Sequence, residues 1–194
     1  AETDLDIGHY ERFIDEDLNV EADITSGIVY ENVIQRERRG EYMGGTVQVV
    51  PHIINEIKDH IYKMSRTGDP DIVISEIGGT VGDMESLPFM EAIRQVGQQV
   101  GRENVLYVHV TLLPYMRKAQ EIKTKPTQHS VQKLLSIGIQ PDILVCRSEV
   151  TVELQTREKL ALYCNVDVDC IIENVDVDSV YELPLLFEKA KMAS

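Results

Sequence analysis

Cysteine is scarce in this chain, and its spacing excludes two common uses of the residue. The three cysteines, Cys146, Cys164 and Cys170, are an odd number and match no zinc-site spacing. Each lies in an apolar context, so we expect buried thiols in a reducing compartment rather than a disulfide framework or a metal centre. The sequence therefore predicts a cytoplasmic protein.

Long apolar runs and positive charge are also in short supply. No apolar run approaches the ~18–20 residues of a membrane span, so we expect neither a membrane segment nor a signal peptide. The chain has 19 Lys and Arg against 33 Asp and Glu, for a formal net charge of −14. Nucleic acid binding needs a basic surface to neutralise phosphates, so we expect no nucleic acid partner. The excess of acidic residues is still compatible with a nucleotide bound in a local basic pocket. It is also compatible with carboxylates that hold Mg²⁺.

The 194 residues suffice for a full core in one domain, and their pattern alternates between strand and helix. Helical patterns separate the β-rich runs and follow the last of them, with the clearest helix at Ser86–Gly101. The runs predicted as strands are Ile72–Ile74, Val105–Leu113, Pro141–Cys146 and Cys170–Asn174. Such β-then-α units predict an α/β fold with a mostly parallel sheet and helices on both faces.

The stretch from Asp71 to Glu85 is the richest in chemistry. Ile72–Ile74 predicts a strand buried on both faces, and the carboxylate of Glu76 comes where that strand ends. The rest of the stretch contributes three glycines and two acids: Gly78, Gly79, Gly82, Asp83 and Glu85. Glycines permit positive φ and a close approach of ligand to backbone, and ligands bind at this edge of an open α/β sheet. An ordinary connection between strand and helix is the alternative.

Three other segments are less decisive. Asp4–Tyr10 alternates acidic and apolar residues, as a short strand or loop would. The arginines of Arg36–Arg39 are favoured at a helix C-terminus without any ligand, or they hold a phosphate or a carboxylate. The loop Pro114–Pro126 carries four basic residues and is either a flexible surface loop or a phosphate contact.

Four segments resemble one family and occur in the family's order: Glu2–Phe13, Gly44–His52, Glu76–Phe89 and Lys123–Ser130. They are similar to the ammonia-ligating (synthetase) domain of the CTP synthases, essentially from end to end. The resemblance implies a phosphate-loop NTPase-like (Rossmann-like) three-layer sandwich. Members convert UTP to CTP: ATP phosphorylates the uracil O4, and ammonia from a separate glutaminase domain displaces that phosphate.

The resemblance also implies the site residues. Asp6 and Glu76 correspond to Mg²⁺ ligands, which agrees with the preference of Mg²⁺ for hard oxygens bridged to phosphate. The implied contacts to UTP or CTP are Asp83, Met84, Glu85, Lys123, Thr124, Lys125, Pro126, Thr127, Gln128 and Lys159. The implied contacts to ATP are Asp6, Val175, Asp176 and Val177. Members often carry a basic residue where this chain has Val175. Gln48 and His52 lie in a family motif, but we assign them no role.

The family's phosphate loop ends in Gly-Lys-Gly, and no Gly-x-x-x-x-Gly-Lys occurs in these 194 residues. We therefore expect residues 1–194 to be a partial synthetase (amidoligase) domain that is inactive by itself. The resemblance implies that the parent enzyme is a cytosolic, Mg²⁺-dependent, glutamine-hydrolysing homotetramer. One alternative is a non-catalytic module that binds UTP or CTP or mediates assembly. Another is a different ligase of the phosphate-loop superfamily, against which the segment Lys123–Ser130 argues.

Overall fold

The computed structural model describes residues 4–192, which form two compact units. The first unit comprises the residues up to Gly79 together with Met84–Val96, and the second comprises Thr80–Asp83 together with the residues from Gly97 onward. None of the helices in the described range is long and apolar enough to cross a membrane.

The first unit is helical. It contains α1 (Ile7–Ile14), α2 (Ser26–Arg38), α3 (Ile54–Arg66) and most of α4 (Leu87–Val100). Buried apolar side chains of α2, α3 and α4 form its core, which includes Val29, Val33, Ile54, Ile57 and Ala92. A π-helical turn, Val49–Ile53, leads into α3. The arginines at the end of α2 meet carboxylates, because Arg36 pairs with Glu41 and Glu56 at 3.0 Å each.

The second unit is built on a parallel sheet flanked by helices, so the predicted α/β class is confirmed. Its strands β1 (Val108–Leu112), β4 (Ile143–Ser148) and β5 (Ile171–Val175) lie in the order β1-β4-β5. The helices are α5 (Lys125–Ile137), α6 (Leu154–Cys164) and α7 (Leu183–Lys189). Helix α5 packs on β1, and α6 and α7 pack on β5. Short 3₁₀ turns in the two units occur at Val20–Ala22, Arg102–Asn104, Val168–Cys170 and Val180–Glu182.

The core of the second unit contains two of the three thiols. Cys146 and Cys164 are fully buried, and burial raises the pKa of Cys146 to about 12 and that of Cys164 to about 11. Both therefore stay protonated and unreactive at neutral pH. The predicted buried thiols are confirmed at these two positions, whereas Cys170 is half-buried.

The predicted buried strand at Ile72–Ile74 is wrong. These residues form no strand, and the side chains of Ile72 and Ile74 are 79% and 91% exposed. A strand inside a parallel sheet needs hydrogen-bonding neighbours on both sides. Within residues 4–192 no segment pairs with this one, so an apolar run alone does not make it a strand.

Three smaller predictions also need correction. The segment Asp4–Tyr10, predicted as a short strand or loop, is helical from Ile7 onward, since the His9 and Tyr10 amides bond to the Asp6 carbonyl. The composition of Val105–Leu113 predicts a second central strand, but β1 lies at the edge of the described sheet, where Val110 and Leu112 are each 58% exposed. The basic loop contains a hairpin of β2 (Tyr115–Met116) and β3 (Glu121–Ile122).

Candidate functional site

The predicted metal ligands Asp6 and Glu76 lie near each other in the first unit. Asp6 precedes α1, and Tyr10 on that helix donates a hydrogen bond from its hydroxyl to Glu76 Oε2. Burial, and then the negative charges of Asp6 and Asp4, raise the pKa of Glu76 above its usual range. A bound cation would offset the like charges of these carboxylates.

The donor set fits Mg²⁺ in one particular way. Among residues 4–192, no group of three or more Asp, Glu, His or Cys is placed to enclose a metal ion. Mg²⁺ usually binds one or two carboxylates and completes its shell with waters and substrate phosphates rather than with a protein cage. A pair such as Asp6 and Glu76 matches that requirement.

The glycine-rich segment turns as predicted at two of its glycines. Gly79 has φ of +85° and Gly82 of +101°, both in the region that favours glycine. The turn Thr80–Asp83 is closed by a hydrogen bond of 3.0 Å from the Asp83 amide to the Thr80 carbonyl. Asp83 therefore lies at the end of a defined turn in the second unit.

Met84 and Glu85 belong to the first unit, where they help to line a pocket of about 230 Å³. Most of its other lining residues are apolar side chains of α2, α3 and α4, including Val29, Ile57 and Phe89. Met84 is 81% exposed. The pocket lining is thus mainly apolar, with the carboxylate of Glu85 at one side.

The segment Lys123–Gln128 divides into exposed and buried side chains. Thr127 and Gln128 are fully buried and Thr124 is nearly so. Thr127 Oγ1 donates to the Leu112 carbonyl at 3.1 Å, and Gln128 Nε2 donates to Thr124 Oγ1 at 3.1 Å. The side chains of these three residues therefore form hydrogen bonds within the fold at the start of α5. Lys123, Lys125 and Pro126 are exposed.

Lys125 and Lys159 both lie close to the side chain of Tyr163. The Lys125 ammonium lies 5.6 Å from the centre of the Tyr163 ring. Lys159 precedes Tyr163 by four residues on α6, so the two side chains share a face of that helix. Lys159 and Tyr163 are both exposed. Tyr163 is not among the residues that the sequence predicts for the site, although its spacing from Lys159 is a local signal. Two lysines beside an exposed aromatic ring suit a phosphorylated ligand with a planar group.

The predicted ATP-base segment lies at the carboxyl edge of the parallel sheet. Val175 ends β5, and the amide of Asp176 donates to the carbonyl of Ser148, the last residue of β4, at 3.2 Å. Val177 is half-buried and Asp176 is exposed. Ligands of open α/β sheets bind outside this edge.

His52 has a structural role in the first unit. Its Nδ1 accepts a hydrogen bond of 3.0 Å from the Gln48 amide, and its ring packs edge-on against Tyr42 at 4.7 Å. These contacts shape the turn into α3.

Comparison with known proteins gives the family. The family model described as "CTP synthase N-terminus" matches residues 1–194. The chain belongs to the CTP synthase family. Its similarity to individual members of the family is high across nearly all of its length.

A CTP synthase of Ruminiclostridium cellulolyticum is 59% identical over 193 residues, which cover 100% of this chain and 36% of that relative. A CTP synthase of Clostridium acetobutylicum is 60% identical over 186 residues, covering 96% of this chain and 35% of the relative. A CTP synthase of Moorella thermoacetica is 58% identical over 194 residues, which cover 100% of this chain and 36% of that relative. The chain thus spans about a third of the length of these relatives.

Proposed function

We propose that this chain supplies the Mg²⁺-binding and pyrimidine-nucleotide-binding part of an enzyme that aminates UTP to CTP at the expense of ATP. ATP transfers its γ-phosphoryl group to the uracil O4, ammonia attacks C4, and phosphate leaves to give CTP. Membership of the CTP synthase family supports the proposal. The observation that carries it is the juxtaposition of Asp6 and Glu76, a pair of the kind that holds Mg²⁺ at a phosphate.

The proposed roles follow from the chemistry of each side chain. Asp6 and Glu76 would hold Mg²⁺, which offsets the negative charge of the ATP phosphates when it is bound. Lys123, Lys125 and Lys159 would bind the triphosphate of UTP or CTP as point charges. Asp83 and Glu85 would each accept hydrogen bonds from hydroxyl or amine groups of UTP or CTP, since carboxylates repel phosphates.

The remaining expected contacts keep the roles that the resemblance implies. Met84 and Pro126 would pack against UTP or CTP. Thr124, Thr127 and Gln128 would act mainly by shaping the start of α5, because their side chains are bonded within the fold. Val175, Asp176 and Val177 would contact the ATP base at the edge of the sheet.

We also propose that ammonia comes from a glutaminase domain and that the enzyme works as a cytoplasmic homotetramer. The relatives are nearly three times as long as this chain, so they have room for such a domain. The domain assigned to residues 1–194 is accordingly a partial synthetase domain.

The second candidate function is nucleotide binding without turnover by these 194 residues alone. It is favoured by the sequence, which contains no Gly-x-x-x-x-Gly-Lys loop to cradle the ATP phosphates. The chain supplied with UTP, ATP, Mg²⁺ and ammonium chloride should then form no CTP. Formation of CTP in this assay would refute the non-catalytic candidate.

The test of nucleotide binding is calorimetric titration of the chain with CTP and then UTP in Mg²⁺, alongside its mass by size-exclusion chromatography. We expect saturable binding, weakened at least tenfold by Lys125→Met and by Lys159→Met, since each removes a charge-assisted phosphate contact. Lys189→Met is the control, because Lys189 is an exposed lysine of α7 outside the proposed site. An absence of binding by the unmodified chain, or an equal loss in the control, contradicts the assignment of this site.

A further inference from the structure

The turn Thr80–Asp83 is in contact with a lysine far away in the sequence. A Cβ atom placed on Gly82 would lie 2.9 Å from Lys133 Cγ and 3.1 Å from its Cε. The methylene stem of Lys133 therefore passes directly over the Gly82 backbone, and only a residue without a side chain permits this approach. Lysine stems commonly cover apolar surface in this way while the charged end stays in water.

Lys133 belongs to a helix that is firmly attached to the sheet. At the N-terminal half of α5, Ser130 Oγ is 2.8 Å from His109 Nε2, and Thr127 Oγ1 is 3.1 Å from Thr111 Oγ1. His109 and Thr111 both lie on β1, and Thr127 also bonds to the Leu112 carbonyl of that strand. Helix α5 thus offers the turn a rigid support, and the same helix begins in the segment Lys123–Gln128.

We propose that Lys133 is a positioning residue whose stem fixes the turn Thr80–Asp83 on α5, and thereby holds Asp83 in the conformation that contacts the pyrimidine nucleotide. The nucleotide contact of Asp83 rests on the proposed function, whereas the fixing of the turn does not. The two parts are therefore tested by separate measurements.

Hydrogen exchange of the chain without nucleotide tests the fixing of the turn. In Lys133→Ala the amides of residues 80–83, including the Asp83 amide bonded to Thr80, should exchange at least threefold faster. Lys133→Met keeps most of the stem and should exchange as the unmodified chain does. Gln132→Ala is the matched control, an exposed neighbour on α5. Unchanged exchange in Lys133→Ala, or equal acceleration in Lys133→Met, would overturn the proposal.

A double-mutant cycle covers the case in which Lys133→Ala disturbs the whole unit. Gly82→Ala should accelerate exchange in the turn, because its Cβ collides with the Lys133 stem. In the Lys133→Ala background, Gly82→Ala should accelerate exchange less than it does in the unmodified chain, because the colliding atoms of Lys133 are absent. Strictly additive effects would show that the two residues do not act through each other, and would overturn the proposal.

Titration with CTP tests the consequence for the nucleotide. We expect Lys133→Ala to weaken CTP binding about threefold to tenfold, and Lys133→Met to restore it to within twofold. Equal losses in both variants would mean that the ammonium acts directly on the ligand, and unchanged affinity in Lys133→Ala would mean that the turn does not govern binding. Either result overturns the positioning role. No CTP binding by the unmodified chain contradicts the proposed function instead, while the exchange data still decide whether Lys133 fixes the turn.

Discussion

At the scale of single residues, the pKa of Glu76 reflects the negative charges around it. Burial and the nearby charges of Asp6 and Asp4 raise its pKa, while Tyr10 donates a hydrogen bond to it. The charged form of Glu76 is therefore less favourable in the folded chain than in the unfolded one. Protonated Glu76 therefore contributes to the stability of the folded chain. This contribution is complete below the ordinary pKa of 4.5 and is lost as the pH rises through the higher pKa of the folded chain.

We predict that Glu76→Gln stabilises the metal-free chain at pH 7 and removes its response to Mg²⁺. The neutral amide avoids the repulsion by Asp6 and Asp4 but cannot provide an anionic ligand. The measurement is the thermal midpoint with and without millimolar Mg²⁺. Glu37→Gln, an exposed change on α2, is the control and should leave the Mg²⁺ response intact. A full Mg²⁺ response in Glu76→Gln would contradict the metal assignment.

At the scale of elements, a polar network joins α3 to α4 within the first unit. Arg94 donates to both carboxylate oxygens of Glu91, at 2.6 and 2.9 Å, and Gln95 donates to Glu91 Oε1 at 2.8 Å. Buried Lys58 of α3 donates to Gln95 Oε1 at 2.9 Å. The hydrogen bond from Arg94 is the main reason why the pKa of Glu91 falls to about 2.

The network predicts a pH-dependent stability. Because the folded pKa of Glu91 is below its ordinary 4.5, its contribution is complete above pH 4.5 and is lost as pH falls towards about 2. Glu91→Gln should therefore be less stable than the unmodified chain at pH 7, and the difference should narrow through that acid range. Urea unfolding of both proteins at several pH values measures this difference in unfolding free energy. A difference that is constant with pH would show that the charge of Glu91 is not responsible.

Within the second unit, Gly97 at the end of α4 lies close to Tyr107, and this contact gives another prediction. A Cβ on Gly97 would lie 2.1 Å from the Tyr107 hydroxyl oxygen. Gly97→Ala should cost about 1–3 kcal/mol of unfolding free energy, although alanine is the better helix former. Gly8→Ala on α1 meets no atom within 4 Å and should be neutral or stabilising. The collision is supported if Tyr107→Phe relieves the cost of Gly97→Ala, and contradicted if Gly97→Ala behaves as Gly8→Ala does.

The elements also show how far periodic patterns reach. The helical spacing within Ser86–Gly101 is a local signal, and it predicted α4 correctly. The run Ile72–Ile74 has the composition of a strand but no hydrogen-bonding neighbour in the described residues. Strand formation depends on a second segment, so local composition could not decide it.

At the scale of the whole molecule, the net charge of −14 sets the response to salt. Repulsion among the excess carboxylates opposes the compact state, and salt screens charges farther apart than about 10 Å at 0.1 M. We predict that the thermal midpoint rises by a few degrees when the NaCl concentration is raised on the order of tenfold, from about 20 to about 300 mM. A falling midpoint would mean that short ion pairs such as Arg36 with Glu41 outweigh the global repulsion.

The sequence by itself determined the alternation of strand and helix in the second unit, the acidic balance, the buried thiols Cys146 and Cys164, and the four motifs that resemble the CTP synthases. These depend on residue type and on short-range spacing, which a linear reading contains. Tertiary structure alone decided that Glu76 lies beside Asp6, that Lys125 meets Tyr163, and that Lys133 crosses Gly82. The physical reason is that such contacts depend on how distant elements pack, and residue order does not fix the distances between side chains far apart in the chain.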